Sequence, residues 1–223
     1  MSMNICRLRS KKIFSGLSIW LTLSFSSASL YAHPHNWINL KSDFILNDDG
    51  RLIQINQRWE FDVYYSMITY TDAMNEHGSE EKGLHASATR IVQNLESYNY
   101  FSSLKLGGVS IDLREPGTYK LSTIKKGDQM ALVLEMGFDI EPGMNIKDKE
   151  LQWQVYDPTY YIAMNHWNKN MIRVINSSSA CNMQLDIPEP SDDVIEYALS
   201  LDRNQKDTGG LGVYFAEKVI INC

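Results

Sequence analysis

His33-Pro34-His35 is the segment of this chain whose residue types could most directly do chemistry. It follows residues 1–32, which read as an export leader. If cleavage falls at Ala32-His33, a histidine becomes the first residue, and its free amine and imidazole can chelate one metal ion. His35 could then add a third nitrogen. A histidine third from a free amine can also build a four-nitrogen copper or nickel site, but only if the intervening backbone nitrogen loses its proton. Pro34 has no backbone N–H, so that geometry is excluded. The remaining nitrogen donors suit Cu(II), Ni(II), Co(II) and Zn(II), and binding should weaken as pH falls through about 6.5. The same residues could instead be a polar entry to a strand, anchored by Trp37.

The leader itself has the expected order. Arg7, Arg9, Lys11 and Lys12 precede an apolar run over 13–25, and small residues lead into Leu30-Tyr31-Ala32. Ser15, Gly16 and Ser18 interrupt the run, which is short for a membrane span of about 20 residues. Cleavage leaves 191 residues, enough for a single domain over 33–223. It also takes the formal net charge from −6 to −10. An acidic surface argues against nucleic acid and anionic membranes as partners and suits a protein that meets cations. No other apolar stretch approaches spanning length, so no membrane insertion is expected once the leader is gone. The expected location is outside the cytoplasm, by export through the leader. Only Cys181 and Cys223 remain after processing; in an oxidising compartment they are expected to pair, because neither has the nearby Cys or His of a metal site.

The elements that must hold the histidines follow at once. Residues 37–46 and 51–61 read as two strands around Asn47-Asp48-Asp49-Gly50, a hairpin turn. The period then becomes helical. Val63, Tyr64, Met67, Ile68 and Thr71 mark one face, and Leu84, Ala88, Ile91, Leu95 and Tyr98 a second, which predicts a helical pair inserted over 62–100. The acids between Asp72 and Glu81 lack the order of a calcium loop. Strands are expected at 101–113, 118–124, 130–140, 151–156, 160–164, 171–176 and 181–187. A short helix at 194–201, capped near Ser191-Asp192-Asp193, precedes a final strand over 213–223. The fold class is mainly β (α+β): an antiparallel β-sandwich-like domain with the helical pair after the first hairpin and a short helix before the last strand.

Other candidate groups are Asp157, at the corner Tyr156-Asp157-Pro158-Thr159-Tyr160-Tyr161, and His166, a few residues on. Each could approach a metal; each could equally serve an aromatic sandwich corner or solvent. Glu60 and Asp62 stand at the hairpin-to-helix junction, where Asp62 suits a helix cap. No Gly-x-Ser-x-Gly elbow and no phosphate-cradling loop occur.

Four ordered strings together resemble the DUF1007 family: Ala32-His33-Pro34-His35 leading to Trp37-Ile38, Trp59-Glu60-Phe61-Asp62, Tyr156 to Tyr161, and Phe215-Ala216-Glu217 leading to Cys223. The resemblance covers essentially the whole mature chain. It implies a bacterial periplasmic component of an uncharacterised transport system, associated with nickel/cobalt-type permeases of the inner membrane. It implies metal handling without naming catalytic residues. Two other functions stay open on the residues: an N-terminal-histidine copper enzyme with oxidative activity, and a structural or adaptor module that binds no metal.

Overall fold

The structure is a computed structural model that describes residues 34–176, 181–201, 207 and 209–223. Strand β1 (Asn36–Leu46) buries alternate residues, Ile38, Leu40, Ser42, Phe44 and Leu46, as a half-covered strand must. The turn after it lets Asn47 Oδ1 accept from the backbone N–H groups of Asp49 and Arg51. Strand β2 (Arg51–Phe61) returns antiparallel, Leu40 opposite Trp59 and Phe44 opposite Ile55. Helices α1 (Val63–His77) and α2 (Glu80–Glu96) come next. Strands β3 (Ser102–Leu106) and β4 (Val109–Ile111) form a tight hairpin, followed by β5 (Thr118–Lys126), β6 (Gln129–Asn145) and β7 (Glu150–Val155). The last elements are β8 (Ile162–His166), β9 (Ile172–Ile175), β10 (Asn182–Asp186), α3 (Asp192–Ser200) and β11 (Lys218–Asn222).

One sheet runs β5-β6-β2-β1-β8, with β9 also on β1; the other runs β10-β11-β7-β3-β4. Their inner faces share one core. Phe44 meets Trp153 edge-on at 6.1 Å, and Tyr100 meets Phe138 at 5.5 Å. The mainly β, sandwich-like α+β fold is therefore the one the alternation predicts. It is not purely antiparallel: β1 pairs parallel with β8 and then with β9 along one edge. Several boundaries also differ, β6 running five residues past the expected end at 140. The strand expected over 101–113 is broken at Gly107-Gly108, both at positive φ, and the strand expected from 213 begins only at Lys218.

The helical pair lies against β5 and β6. Helix α2 buries Leu84, Ala88, Val92 and Leu95, one stripe at helical spacing. Helix α1 behaves otherwise. The face expected to be apolar leaves Tyr64, Met67 and Ile68 exposed (64%, 54% and 42%), while Ser66 and Ala73 are buried. The reason is local: β2 ends at Phe61, and Ser66 Oγ accepts the Leu132 N–H of β6 at 2.9 Å, just past the last β2–β6 pair, Glu60–Val133. Small residues let α1 sit close enough to close the ladder.

Cys181 and Cys223 form a disulfide, S–S 2.11 Å, flanking the β10–β11 pair. Among the described residues no helix is long and apolar enough to cross a membrane.

Replacing Ser66 with Ala leaves the buried Leu132 N–H without its acceptor. The expected loss is about 1–3 kcal/mol of unfolding free energy, read from urea denaturation. An unchanged midpoint would show that α1 does not close the β6 ladder.

Candidate functional site

Proline blocks a donor at position 34, so the backbone pairing of the N-terminal segment starts with His35. Its N–H donates to Tyr161 O at 2.9 Å, one residue before the parallel β1–β8 register begins at Asn36–Ile162. The His35 ring packs on the Tyr161 ring, centroids 4.6 Å apart and tilted by 44°. On the other side, the Asp62 N–H donates to Trp37 O at 3.0 Å, and Asp62 Oδ2 accepts the Trp37 N–H at 3.3 Å. Asp62 Oδ1 meanwhile accepts the Tyr65 N–H at 2.9 Å and caps α1, as the sequence suggested. The entry to β1 is thus fastened to two elements. His33, and with it the expected amine chelate, lies outside the described residues.

Glu60 is the other carboxylate at that junction. Burial pushes its carboxyl upward, but Lys126 at 2.6 Å and Arg58 at 3.3 Å outweigh it and hold the group below its ordinary value. It is an ion-paired residue of the sheet surface.

At the Asp-Pro-Thr corner the Asp157 carboxylate is buried and fully engaged. Its Oδ1 accepts the Thr159 N–H at 2.9 Å, Oδ2 accepts the Ile162 N–H at 3.1 Å, and the Thr159 hydroxyl donates to both. The turn places Tyr160 at φ 56° and stacks it on Phe215, centroids 3.8 Å apart. Burial raises the Tyr160 phenol above its ordinary pKa. A side chain at Gly212 would sit 1.9 Å from Asp157 O, so this glycine alone permits the approach, and its N–H donates to Pro158 O at 3.0 Å. The same contact anchors a 3-10 turn over Leu211–Phe215, which takes up the first residues of the strand expected from 213.

His166 is also buried, at the end of β8. Glu217 Oε2 accepts its backbone N–H at 2.6 Å and faces Nδ1 at 3.0 Å. Nε2 faces Ser42 Oγ at 2.9 Å, and Gln57 Nε2 donates to that oxygen at 2.8 Å. Gln57 can donate to Ser42, Ser42 to Nε2, and Nδ1 to the Glu217 carboxylate, a direction that leaves Gln57 Oε1 buried without a partner among the described residues. Acid, imidazole and hydroxyl stand in the order of a nucleophilic triad. Ser42, however, is 0% exposed, so no substrate reaches it. The group bridges strands β1, β2 and β8 to the residue before β11.

Asp157 and His166 therefore spend their donors and acceptors inside the fold. Among the described residues, no three His, Cys, Asp or Glu side chains gather to hold a metal ion. Sequence reasoning passed over Ser42, Gln57 and Glu217. A signal existed for two: Ser42 stands between Leu40 and Phe44, and Gln57 between Ile55 and Trp59, on inward positions of alternating strands. Glu217 carried no such mark.

The family pattern described as "Protein of unknown function (DUF1007)" matches residues 18–223. The chain belongs to the DUF1007 family. This DUF1007 protein is also similar to an uncharacterized protein of Haemophilus influenzae (strain Rd), 28% identical over 205 residues, which cover 89% of this chain and 95% of that relative. No solved structure matches it.

Ser42→Ala strands the Gln57 donor and His166 Nε2 in the core of the DUF1007 domain. We expect about 1–3 kcal/mol of destabilisation by urea titration. A neutral result would mean that the bridge is not a stabilising element.

Proposed function

We propose that this DUF1007 protein is an exported, non-enzymatic accessory protein that binds a divalent transition metal at its N-terminal histidines and works beside an inner-membrane metal permease. The observation that carries this reading is the fixing of His35 by its backbone and ring to Tyr161. One residue, Pro34, separates it from His33, so a chelate there would be borne by the start of a paired strand rather than by a free tail. His35 Nε2 is buried, which makes Nδ1 the atom that would face the metal. His33 would supply amine and imidazole once residues 1–32 are removed. Nitrogen donors of this kind suit Cu(II), Ni(II), Co(II) or Zn(II). The engagement of Asp157 and His166 within the fold leaves His33 and His35 as the pair to which the reading commits. The Cys181–Cys223 bridge agrees with an oxidising compartment, and the acidic net charge with a cation-handling role.

The test is calorimetric titration of exported protein whose first residue is confirmed as His33 by mass. At least one of the four ions should bind with Kd below about 10 µM, and His33→Ala and His35→Ala should each weaken it about tenfold or more. Affinity should fall as pH drops through about 6.5, where imidazole protonates. Failure of all four ions, or binding indifferent to both substitutions, would remove the proposal.

A further inference from the structure

A cavity of about 180 Å³ opens between the Asp157 corner, the start of the Pro188–Pro190 segment and the 3-10 turn before β11. Its walls include Tyr156, Tyr160, Phe215, Ile187 and Pro188, and Glu217 also lines it. The Glu217 side chain is 8% exposed. One of its oxygens, Oε2, takes both bonds from His166; among the described residues Oε1 has no hydrogen-bond partner. No Lys, Arg or His lines the cavity. The polar partner of Glu217, the His166 imidazole and backbone N–H, lies behind the cavity wall and engages Oε2 alone. A carboxylate oxygen left without a donor in a largely buried wall is an acceptor for an N–H ligand that enters the cavity.

We infer that this cavity is a binding site for the primary ammonium group of a small organic amine. The ammonium donates to Glu217 Oε1, and its carbon chain lies against Tyr160, Phe215 and Tyr156, whose ring faces attract a cation and shelter apolar atoms. A metal ion fits the site poorly. Asp157, the second carboxylate on the rim, already has both oxygens occupied by its own turn. A cavity of this size has room for a short alkylamine. Glu217 is a residue of the buried bridge described above, so the cavity is backed by a fixed wall: the carboxylate cannot swing away without releasing His166. The site is separate from the N-terminal histidines and goes beyond the metal-binding reading.

The experiment titrates the exported protein, with a metal chelator present, with n-butylammonium, n-butanol and tetramethylammonium. Binding is followed by calorimetry and by the methyl NMR shifts of Ile187. We expect n-butylammonium to bind in the millimolar range or tighter and to shift Ile187. n-Butanol and tetramethylammonium should bind at least tenfold more weakly, the first lacking charge and the second lacking an N–H. Glu217→Gln keeps an oxygen for His166 while removing the charge, and should abolish amine binding with the near-ultraviolet circular dichroism unchanged. Phe215→Leu keeps the carboxylate and should weaken binding about threefold or more, which tests the site even if the first variant unfolds. Equal binding of butanol or tetramethylammonium, amine binding that survives Glu217→Gln, or no binding at 50 mM would each overturn the inference. The His33→Ala, His35→Ala double variant should bind the amine normally, so the two sites stand or fall apart.

Discussion

A buried imidazole must find partners for both ring nitrogens, and that requirement organises this domain. His166 meets it by reaching to opposite sides, to Ser42 in the middle of β1 and to Glu217 before β11. Neither partner is near it in sequence. The bridge needs β1 and β8 side by side in one register, Leu40 opposite His166, and needs the C-terminal segment to cross behind them. Strand β1 satisfies the first need by taking β8 and β9 in succession along one edge while β2 covers the other. The entry segment is held by the same arrangement, since the hydrogen bond from His35 to Tyr161 continues the β1–β8 ladder.

Polar groups elsewhere follow the same economy. Ser66 on α1 ends the β6 ladder where β2 runs out, and Asp62 serves a helix cap and the Trp37 backbone together. Asp157 folds its own corner. Carboxylates and hydroxyls that looked like candidate ligands or bases are mostly the joints where one element hands the chain to the next. Glu217 differs, because its second oxygen faces space rather than backbone.

Much of the architecture was legible in the chain because strand and helix periods are local. The alternation Ile38, Leu40, Phe44, Leu46 and the Asp49-Gly50 turn identify the first hairpin, and Leu84, Ala88 and Leu95 identify α2. Parallel pairing of β1 was not legible, since alternation says which residues face inward but nothing of which strand lies alongside. Helix α1 misled because its outward Tyr64, Met67 and Ile68 mimic a buried stripe, whereas its true contact uses Ser66 and Ala73. The 3-10 turn at Leu211–Phe215 depends on a single approach between Gly212 and Asp157, 55 positions earlier in the chain, which no local pattern records. Of the candidate site, His35 and Asp157 stood out by residue type; Glu217 was reachable only through its distance to His166.

The disulfide has a consequence beyond pinning the terminus. Cys181 and Cys223 are 42 positions apart, and Ile187, Pro188, Gly212, Phe215 and Glu217 all fall between them. One whole side of the cavity therefore belongs to a covalently closed ring, seated on a sandwich whose opposite side is built from the Asp157 corner and β8. Such a ring can vary at Ile187 and Pro188, and so in what the cavity admits, while Gly212 and Glu217 stay fixed by the Asp157 corner and the His166 bridge. The domain is in effect a fixed platform with an exchangeable, covalently cinched lip.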